Sequence, residues 1–122
     1  MTGARSVIRV KRVYEAPGPD DGTRVLVDRI WPRGLSKERA AIDVWLKAVA
    51  PSSELRRWYG HDPARFDEFA RRYEVELADP ERRDALAQLS EMIAAGPLML
   101  LTATRAVTGS QAAVLAKVLG RR

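Results

Sequence analysis

The sequence predicts an α/β fold, a single domain with a small, mostly parallel sheet of about four strands and helices packed on it. Two short runs, residues 25–27 and 98–103, are apolar apart from Thr102, which is typical of strands covered on both faces. Segments with helical periodicity lie between these runs, so crossover helices can return the chain to a parallel sheet. The length of 122 residues fits one domain over 1–122, with its core at about 7–119 and a short basic tail at each end.

Three strands are predicted in the first half of the chain. Residues 8–14 alternate imperfectly between apolar and basic side chains, a period of two that is typical of a strand with its basic residues outward. A loop rich in proline and glycine separates this segment from a second strand over residues 24–30. We expect Ser36 to cap a short helical turn through Ala41. In residues 42–49 the alternation favours a third strand, with a short helix as the rival interpretation.

The second half of the chain predicts helices around one more strand. A serine at position 52 or 53 is expected to cap a short helix, and the Asp-Pro pairs at 62–63 and 79–80 each place a capping carboxylate before a proline at the first helical position. Residues 98–103 form the last strand, and a final helix is expected from about 110 to 119. The apolar stripes of the two middle helices are Phe66, Phe69, Ala70, Tyr73 and Leu77, and Leu86, Leu89 and Ile93.

Composition excludes several kinds of site. Cysteine is absent and His61 is the single histidine, which rules out disulfides, thiolate catalysis and a sulfur-ligated metal. No glycine-rich phosphate-binding motif occurs, and we expect neither a metal nor a cofactor. No apolar run approaches the roughly 20 residues that span a bilayer, and the first residues have no apolar stretch typical of a secretory signal. A cytoplasmic protein without membrane contact is therefore expected.

Polar residues follow each predicted strand, at the sheet edge where ligands of parallel sheets bind. Asp28 and His61 are the candidates for an acid/base pair, because an imidazole titrates near neutral pH. Arginines at this edge offer paired donors that fit a phosphate or carboxylate. The candidate ligand-binding residues are Arg29, Trp31, Arg33, Thr102 and Arg105.

Each of these candidates also has a purely structural interpretation. Asp28 could pair with a neighbouring arginine, and Trp31 could fill the core beside a turn. His61 could bond to local backbone, since it precedes Asp62, which suits a plain helix cap. Thr102 could be only a β-branched residue at a strand end. The sequence leaves these alternatives open.

Two segments carry a family resemblance that extends over about residues 7–119. They are RVLVDRIWPRGLSK at 24–37 and APSSELRRWYGHDP at 50–63. Together they resemble the domain-of-unknown-function 488 family (DUF488), and within it the short YeaO-like branch. The resemblance implies a small cytosolic bacterial α/β protein and no established activity. The residues that carry over are Asp28, Arg29, Trp31, Pro32, Arg33, Gly34, His61, Asp62 and Pro63.

The last strand departs from the family pattern. Longer relatives carry a cysteine and a Cys-His-Arg segment around that strand and the final helix, whereas this chain has Thr102 near the position of the cysteine. Short members more often have an acidic run and an asparagine before the final helix, where this chain reads AVTGSQ over 106–111. A catalytic role at that end of the site therefore has no support from the resemblance.

Two main hypotheses of function follow. The first is a domain that binds a small molecule or anion, phosphate or nucleotide-like, in a polar pocket at the strand ends, with catalysis left open. The alternative is a module that binds nucleic acid or an acidic partner, based on the net charge of +5 and the basic termini. An assembly role through exposed tryptophans is a third, and the oligomeric state is left open. The basic residues at the termini are Arg5, Arg9, Lys11, Arg12, Lys117, Arg121 and Arg122.

Overall fold

A computed structural model describes residues 7–121 and contains one four-stranded sheet in which every pairing is parallel. The spatial order is β1-β4-β2-β3, so the strand made last lies between the first two. The strands are β1 (Ile8–Arg12), β2 (Thr23–Leu26), β3 (Val44–Trp45) and β4 (Leu98–Thr102). The predicted α/β class with a parallel sheet of about four strands is confirmed.

Five α-helices connect and cover these strands within the described range. They are α1 (Lys37–Ala40), α2 (Ser53–Tyr59), α3 (Phe66–Glu76), α4 (Pro80–Ala95) and α5 (Gln111–Gly120), with 3₁₀ turns at Lys47–Val49, Pro63–Arg65 and Val107–Gly109. The hydroxyls of Ser36, Ser52 and Ser110 cap α1, α2 and α5, because a short side-chain oxygen can accept from the free backbone N–H groups of a first turn. No described helix has the length and apolar character needed to cross a membrane.

Three predicted boundaries change in the structure. Residues 42–49 contain both rival elements, since β3 occupies only Val44–Trp45 and a 3₁₀ turn follows at Lys47–Val49. The first strand stops at Arg12 instead of residue 14. The second stops at Leu26 instead of residue 30, and Ile30 is 66% exposed. Here the continuous apolar run ends and the chain turns away from the sheet after its last ladder bond, from the Val27 N–H to the Leu101 carbonyl.

Alternate residues of the buried strands divide the core between the two faces of the sheet. The larger cluster includes Val25 and Leu100 and packs under α2, α3, α4 and α5. The smaller cluster consists of Val13, Leu26, Met99 and Leu101, with Trp31, Leu35, Ile42 and Ala103 packed against it. The segment after β2 therefore covers the second face of the sheet.

A buried ion pair fixes the amino edge of the sheet. The guanidinium of Arg24, on β2, bonds to the Asp21 carboxylate and donates to the carbonyls of Ala40 and Ala41 at the end of α1. Lys11 Nζ lies 3.1 Å from the same carboxylate. Burial alone would raise the pKa of Asp21, but its hydrogen bonds from Gly18, Lys11 and Arg24 lower it below its ordinary value. This network binds α1 to the sheet with its donors and acceptors satisfied.

Candidate functional site

Asp28 lies just beyond the carboxyl end of β2 and forms the floor of a cleft. Its Oδ1 accepts from Thr102 Oγ1 at 2.8 Å and from Gln111 Nε2 at 2.6 Å, while Oδ2 accepts from the Ala103 N–H at 2.7 Å. These donors belong to the end of β4 and the start of α5, which meet Asp28 because parallel strands end at a common edge. Three neutral donors therefore hold both carboxylate oxygens.

Burial raises the pKa of the Asp28 carboxyl above its ordinary value. The three hydrogen bonds and the nearby positive charge of Arg56 act in the opposite direction. Desolvation prevails because no side chain within salt-bridge distance carries a charge to compensate the carboxylate among residues 7–121.

The loop after Asp28 is fixed by hydrogen bonds to its backbone. Trp45 Nε1 donates to the Asp28 carbonyl at 2.8 Å, and Tyr14 OH donates to the Arg33 carbonyl at 3.1 Å. Trp31 Nε1 donates to the Leu35 carbonyl at 2.7 Å, and its ring meets that of Trp45 edge-on at 5.4 Å between centroids. Because these contacts use the backbone, the Arg33 side chain stays available to the cleft.

His61 has an unusual backbone conformation. Its φ is 58°, directly after Gly60 with φ 54°, so two successive residues are left-handed where α2 ends. A left-handed non-glycine residue costs about 1–2 kcal/mol. The turn places the imidazole at the mouth of the cleft, 6.1 Å from the Tyr59 ring centroid. Tyr59 OH donates to the Gly109 carbonyl at 2.7 Å and thereby joins α2 to the turn before α5.

The cleft has two lobes that share the floor at Asp28 and a boundary at Tyr59 and His61. The wide lobe encloses about 750 Å³ and the narrow lobe about 380 Å³. The residues that line only the wide lobe are Arg12, Pro63, Phe66, Arg105, Ala106 and Thr108. Those that line only the narrow lobe are Arg29, Ile30, Trp31, Pro32, Arg33, Ala50, Arg56, Arg57, Phe69, Ser110 and Gln111.

Six arginines line this cleft, two in the wide lobe and four in the narrow lobe. Within the described part of the chain none of the six lies within 4 Å of a carboxylate. Outside the cleft, Arg71 and Arg72 pair with Glu68 on α3, whereas Arg9, Arg39 and Arg83 also have no carboxylate within 4 Å among the described residues. Basic charge is therefore uncompensated around the cleft.

The structure places six of the seven predicted site residues along one cleft. Asp28 and His61 line both lobes, but His61 is not among the hydrogen-bond partners found for Asp28 in residues 7–121. Thr102 is the exception. It is fully buried. Its hydroxyl donates a hydrogen bond to Asp28 and accepts one from the Thr104 N–H. A ligand in the cleft cannot reach Thr102, whose part is to hold Asp28 in place.

Sequence reasoning missed three arginines and one glutamine of the cleft, and it assigned Phe66 to the apolar stripe of a helix. Gln111 is the first residue of α5, and its place after a strand end was a signal that could have found it. Arg12 also ends a strand, but its position among other basic residues near the amino end predicts a basic tail. Arg56 and Arg57 lie on α2, where their spacing alone does not distinguish a cleft from solvent.

The basic termini are partly neutralised. Lys11 pairs with Asp21, and Arg121 Nη2 lies 2.8 Å from Glu74 Oε1. Arg9 donates to the Asp20 carbonyl. Arg5 and Arg122, which the nucleic-acid hypothesis also included, fall outside the described residues. Residues 7–121 contain no group of three acidic or histidine side chains placed to hold a metal ion.

Comparison with known proteins identifies relatives along most of the chain. Residues 7–122 match the family model DUF488-N3i, described as the inactive DUF488-N3 subclade. Uncharacterized protein Rv3073c of Mycobacterium tuberculosis (strain ATCC 25618 / H37Rv) is 54% identical over 115 residues, which cover 94% of this chain and 95% of that protein. Uncharacterized protein YeaO of Escherichia coli (strain K12) is 38% identical over 109 residues, 89% of this chain and 93% of that protein. No solved structure matches the chain.

Proposed function

Since this chain belongs to the DUF488 family, in the DUF488-N3i subclade, we propose that it binds a small anionic ligand, phosphate or nucleotide-like, in the cleft beside Asp28. The observation that carries the proposal is the set of six cleft arginines without a carboxylate partner in residues 7–121. Like charges gathered in a concave site raise the local potential and attract an anion. A guanidinium also binds phosphate oxygens with paired donors.

Binding without chemical transformation fits the site better than catalysis. A general base needs a free position to take up a proton, and three of the roughly four acceptor positions of the Asp28 carboxylate are already filled. His61 has no hydrogen bond to Asp28 that would orient its ring as a base. The description of the matching subclade as inactive agrees with a binding function.

Nucleic-acid binding remains the second candidate, because Arg29, Arg33 and Arg57 are exposed at the rim of the narrow lobe. A nucleic acid requires positive charge spread along a surface that follows its phosphates. In the described part of this protein, six unpaired arginines line one cleft, whereas the unpaired Arg9, Arg39 and Arg83 lie singly on β1, α1 and α4. The geometry therefore favours the small ligand.

A thermal-shift and calorimetric screen tests the proposal with inorganic phosphate, pyrophosphate, ribose 5-phosphate, nucleotides and a single-stranded oligonucleotide. We expect a small phosphorylated compound to raise the melting temperature of the wild type. The Arg33→Ala variant should lose most of that increase. Arg71→Ala, which removes an arginine that is paired on α3, is the matched control and should respond like the wild type.

Two outcomes contradict the proposal. In one, no phosphorylated compound stabilises the wild type. In the other, Arg33→Ala and Arg71→Ala respond equally. Tight binding of the oligonucleotide alone, with affinity that falls steeply with salt, supports the second candidate instead.

A further inference from the structure

We propose that the ligand has two parts, a flat aromatic ring in the wide lobe and a phosphate in the narrow lobe, as in a nucleoside monophosphate. This inference rests on the proposed function and adds to it the class and the orientation of the ligand. It follows from the larger number of arginines in the narrow lobe, four against two in the wide lobe, and from the shared floor at Asp28.

The narrow lobe has the size and the donors for a phosphate. Four of the six cleft arginines line its roughly 380 Å³. Ser110 and Gln111 add the start of α5, a helix of 10 residues, and the amino end of a helix favours an anion. A phosphate monoester, with up to two negative charges, would compensate this local excess of positive charge.

The wide lobe has a wall suited to an aromatic ring. Phe66 and Pro63, from the start of α3 and the turn before it, supply apolar surface beside the Tyr59 ring. The volume of about 750 Å³ is twice that of the narrow lobe. Bases bind single-strand readers mainly by stacking on such rings.

Arg12 supplies a polar contact for the same ring. Its guanidinium carbon lies 4.8 Å from the Tyr14 ring centroid, and this contact restrains the group at the edge of the wide lobe. Its Nε is buried and has no hydrogen-bond partner among residues 7–121. A ligand cannot reach the buried Nε, but the Arg12 Nη nitrogens, which have no hydrogen-bond partner among residues 7–121, can donate to an acceptor on a base bound in the wide lobe.

Asp28 lies where the two parts of such a ligand join. Oδ2 accepts only the Ala103 N–H among the described residues, and each carboxylate oxygen can accept about two hydrogen bonds. A sugar hydroxyl is a donor that fits this remaining position. A free phosphate in the narrow lobe, in contrast, would leave the apolar wall of the wide lobe and the Arg12 guanidinium without a contact.

Isothermal titration at low salt tests the inference with AMP, GMP, CMP and UMP, their four nucleosides, and ribose 5-phosphate. We expect at least one nucleotide to bind roughly tenfold more tightly than both ribose 5-phosphate and its own nucleoside, since stacking of a base is commonly of that order. Phe66→Leu keeps an apolar side chain but removes the ring. It should reduce nucleotide affinity toward that of ribose 5-phosphate and leave ribose 5-phosphate unchanged.

A second pair of variants separates the lobes. Arg57→Ala should weaken the nucleotide and ribose 5-phosphate by the same factor, and Arg71→Ala should weaken neither. If no nucleotide binds more tightly than ribose 5-phosphate, the assignment of an aromatic ring to the wide lobe is wrong, while the proposed anion binding stands. If a nucleoside binds as tightly as its nucleotide, the assignment of a phosphate to the narrow lobe is wrong. If no phosphorylated compound binds, this inference and the proposed function fail together.

Discussion

The two ends of β2 hold aspartates in opposite surroundings. Asp21, just before the strand, is bonded to the guanidinium of Arg24 and to Lys11, and its pKa is lowered. Asp28, just after the strand, is bonded to neutral donors, and its pKa is raised. Arginines lie near both ends of β2, but only at the amino end does one of them form a salt bridge with the aspartate.

The difference separates charge that serves the fold from charge that is open to a partner. At the amino edge, Arg24 is buried and each of its guanidinium nitrogens has an acceptor. At the carboxyl edge, the cleft arginines have no carboxylate partner in the described residues, and Asp28 takes its hydrogen bonds from elsewhere. Substitutions at the two ends should therefore affect different properties.

The largest effect is expected at Asp21. Asp21→Asn removes the counterion of the buried Arg24 guanidinium and should lower the free energy of unfolding by about 3 kcal/mol. Asp28→Asn keeps an oxygen for Thr102 and Gln111 and loses mainly the Ala103 contact, a cost of about 1 kcal/mol. Urea unfolding of both variants at neutral pH measures the difference. Equal losses would remove the distinction between the two ends.

Substitution of two glycines, one near each end of β2, should change the free energy of unfolding by nearly as much. A Cβ at Gly22 would lie 2.2 Å from the Pro97 carbonyl oxygen, whereas one at Gly34 would meet nothing within 4 Å, and both have positive φ. Gly22→Ala should cost about 3 kcal/mol, from backbone strain and overlap. Gly34→Ala should cost about 1 kcal/mol, from strain alone. The comparison is made by thermal and urea unfolding, and similar melting temperatures for the two variants would contradict it.

The pH dependence of stability should have opposite signs at the two aspartates. Asp21, with a lowered pKa, contributes stability that is present above its ordinary pKa and lost as pH falls through its folded value. Asp28, with a raised pKa, contributes stability that is present below its ordinary pKa and lost as pH rises through its folded value. Unfolding of each Asn variant across the acid range, with carboxyl titration by NMR, checks both signs. A midpoint for Asp28 below its ordinary pKa would overturn the second.

The smallest effect is expected from glycine substitutions at two residues with a left-handed backbone conformation. Ala41, at the end of α1, has φ 49°, and His61 has φ 58°. Glycine at either position removes the strain but adds freedom to the unfolded chain, so each variant should gain about 0.5 kcal/mol in unfolding free energy. Only His61→Gly should weaken ligand binding, because His61 lines the cleft and Ala41 does not. A loss of stability in His61→Gly would show that the imidazole serves the fold.

Most of the fold was predictable because its signals are local. The apolar runs of β2 and β4 and the capping serines before α1, α2 and α5 each act within a few residues. The end of β2 was not, since Val27 and Ile30, which lie beyond it, are β-branched residues typical of a strand. That boundary is set by Asp28, which turns to donors on β4 and α5 that lie more than 70 residues away in the chain.

The position of the site was also predictable, and its chemistry only in part. Parallel strands bring their carboxyl ends together, so Asp28, Arg33 and Arg105 were expected at one edge from the topology alone. Which arginines are paired depends on contacts between elements that no local pattern contains. For the same reason, the sequence did not show that Thr102 would be buried or that Gln111 would bond to Asp28.

The strand order has a consequence for the way the chain is made. β1 and β2 pair with each other only through β4, which ends at Thr102. A nascent chain on the ribosome therefore lacks the middle of its sheet until β4 (Leu98–Thr102) has been synthesised. Before then the edges of β1 and β2 are unpaired, a state in which chaperones or aggregation compete with folding. Chains truncated before β4 lack the strand that lies between β1 and β2 in the sheet. They should therefore remain unfolded and be bound by chaperones or degraded.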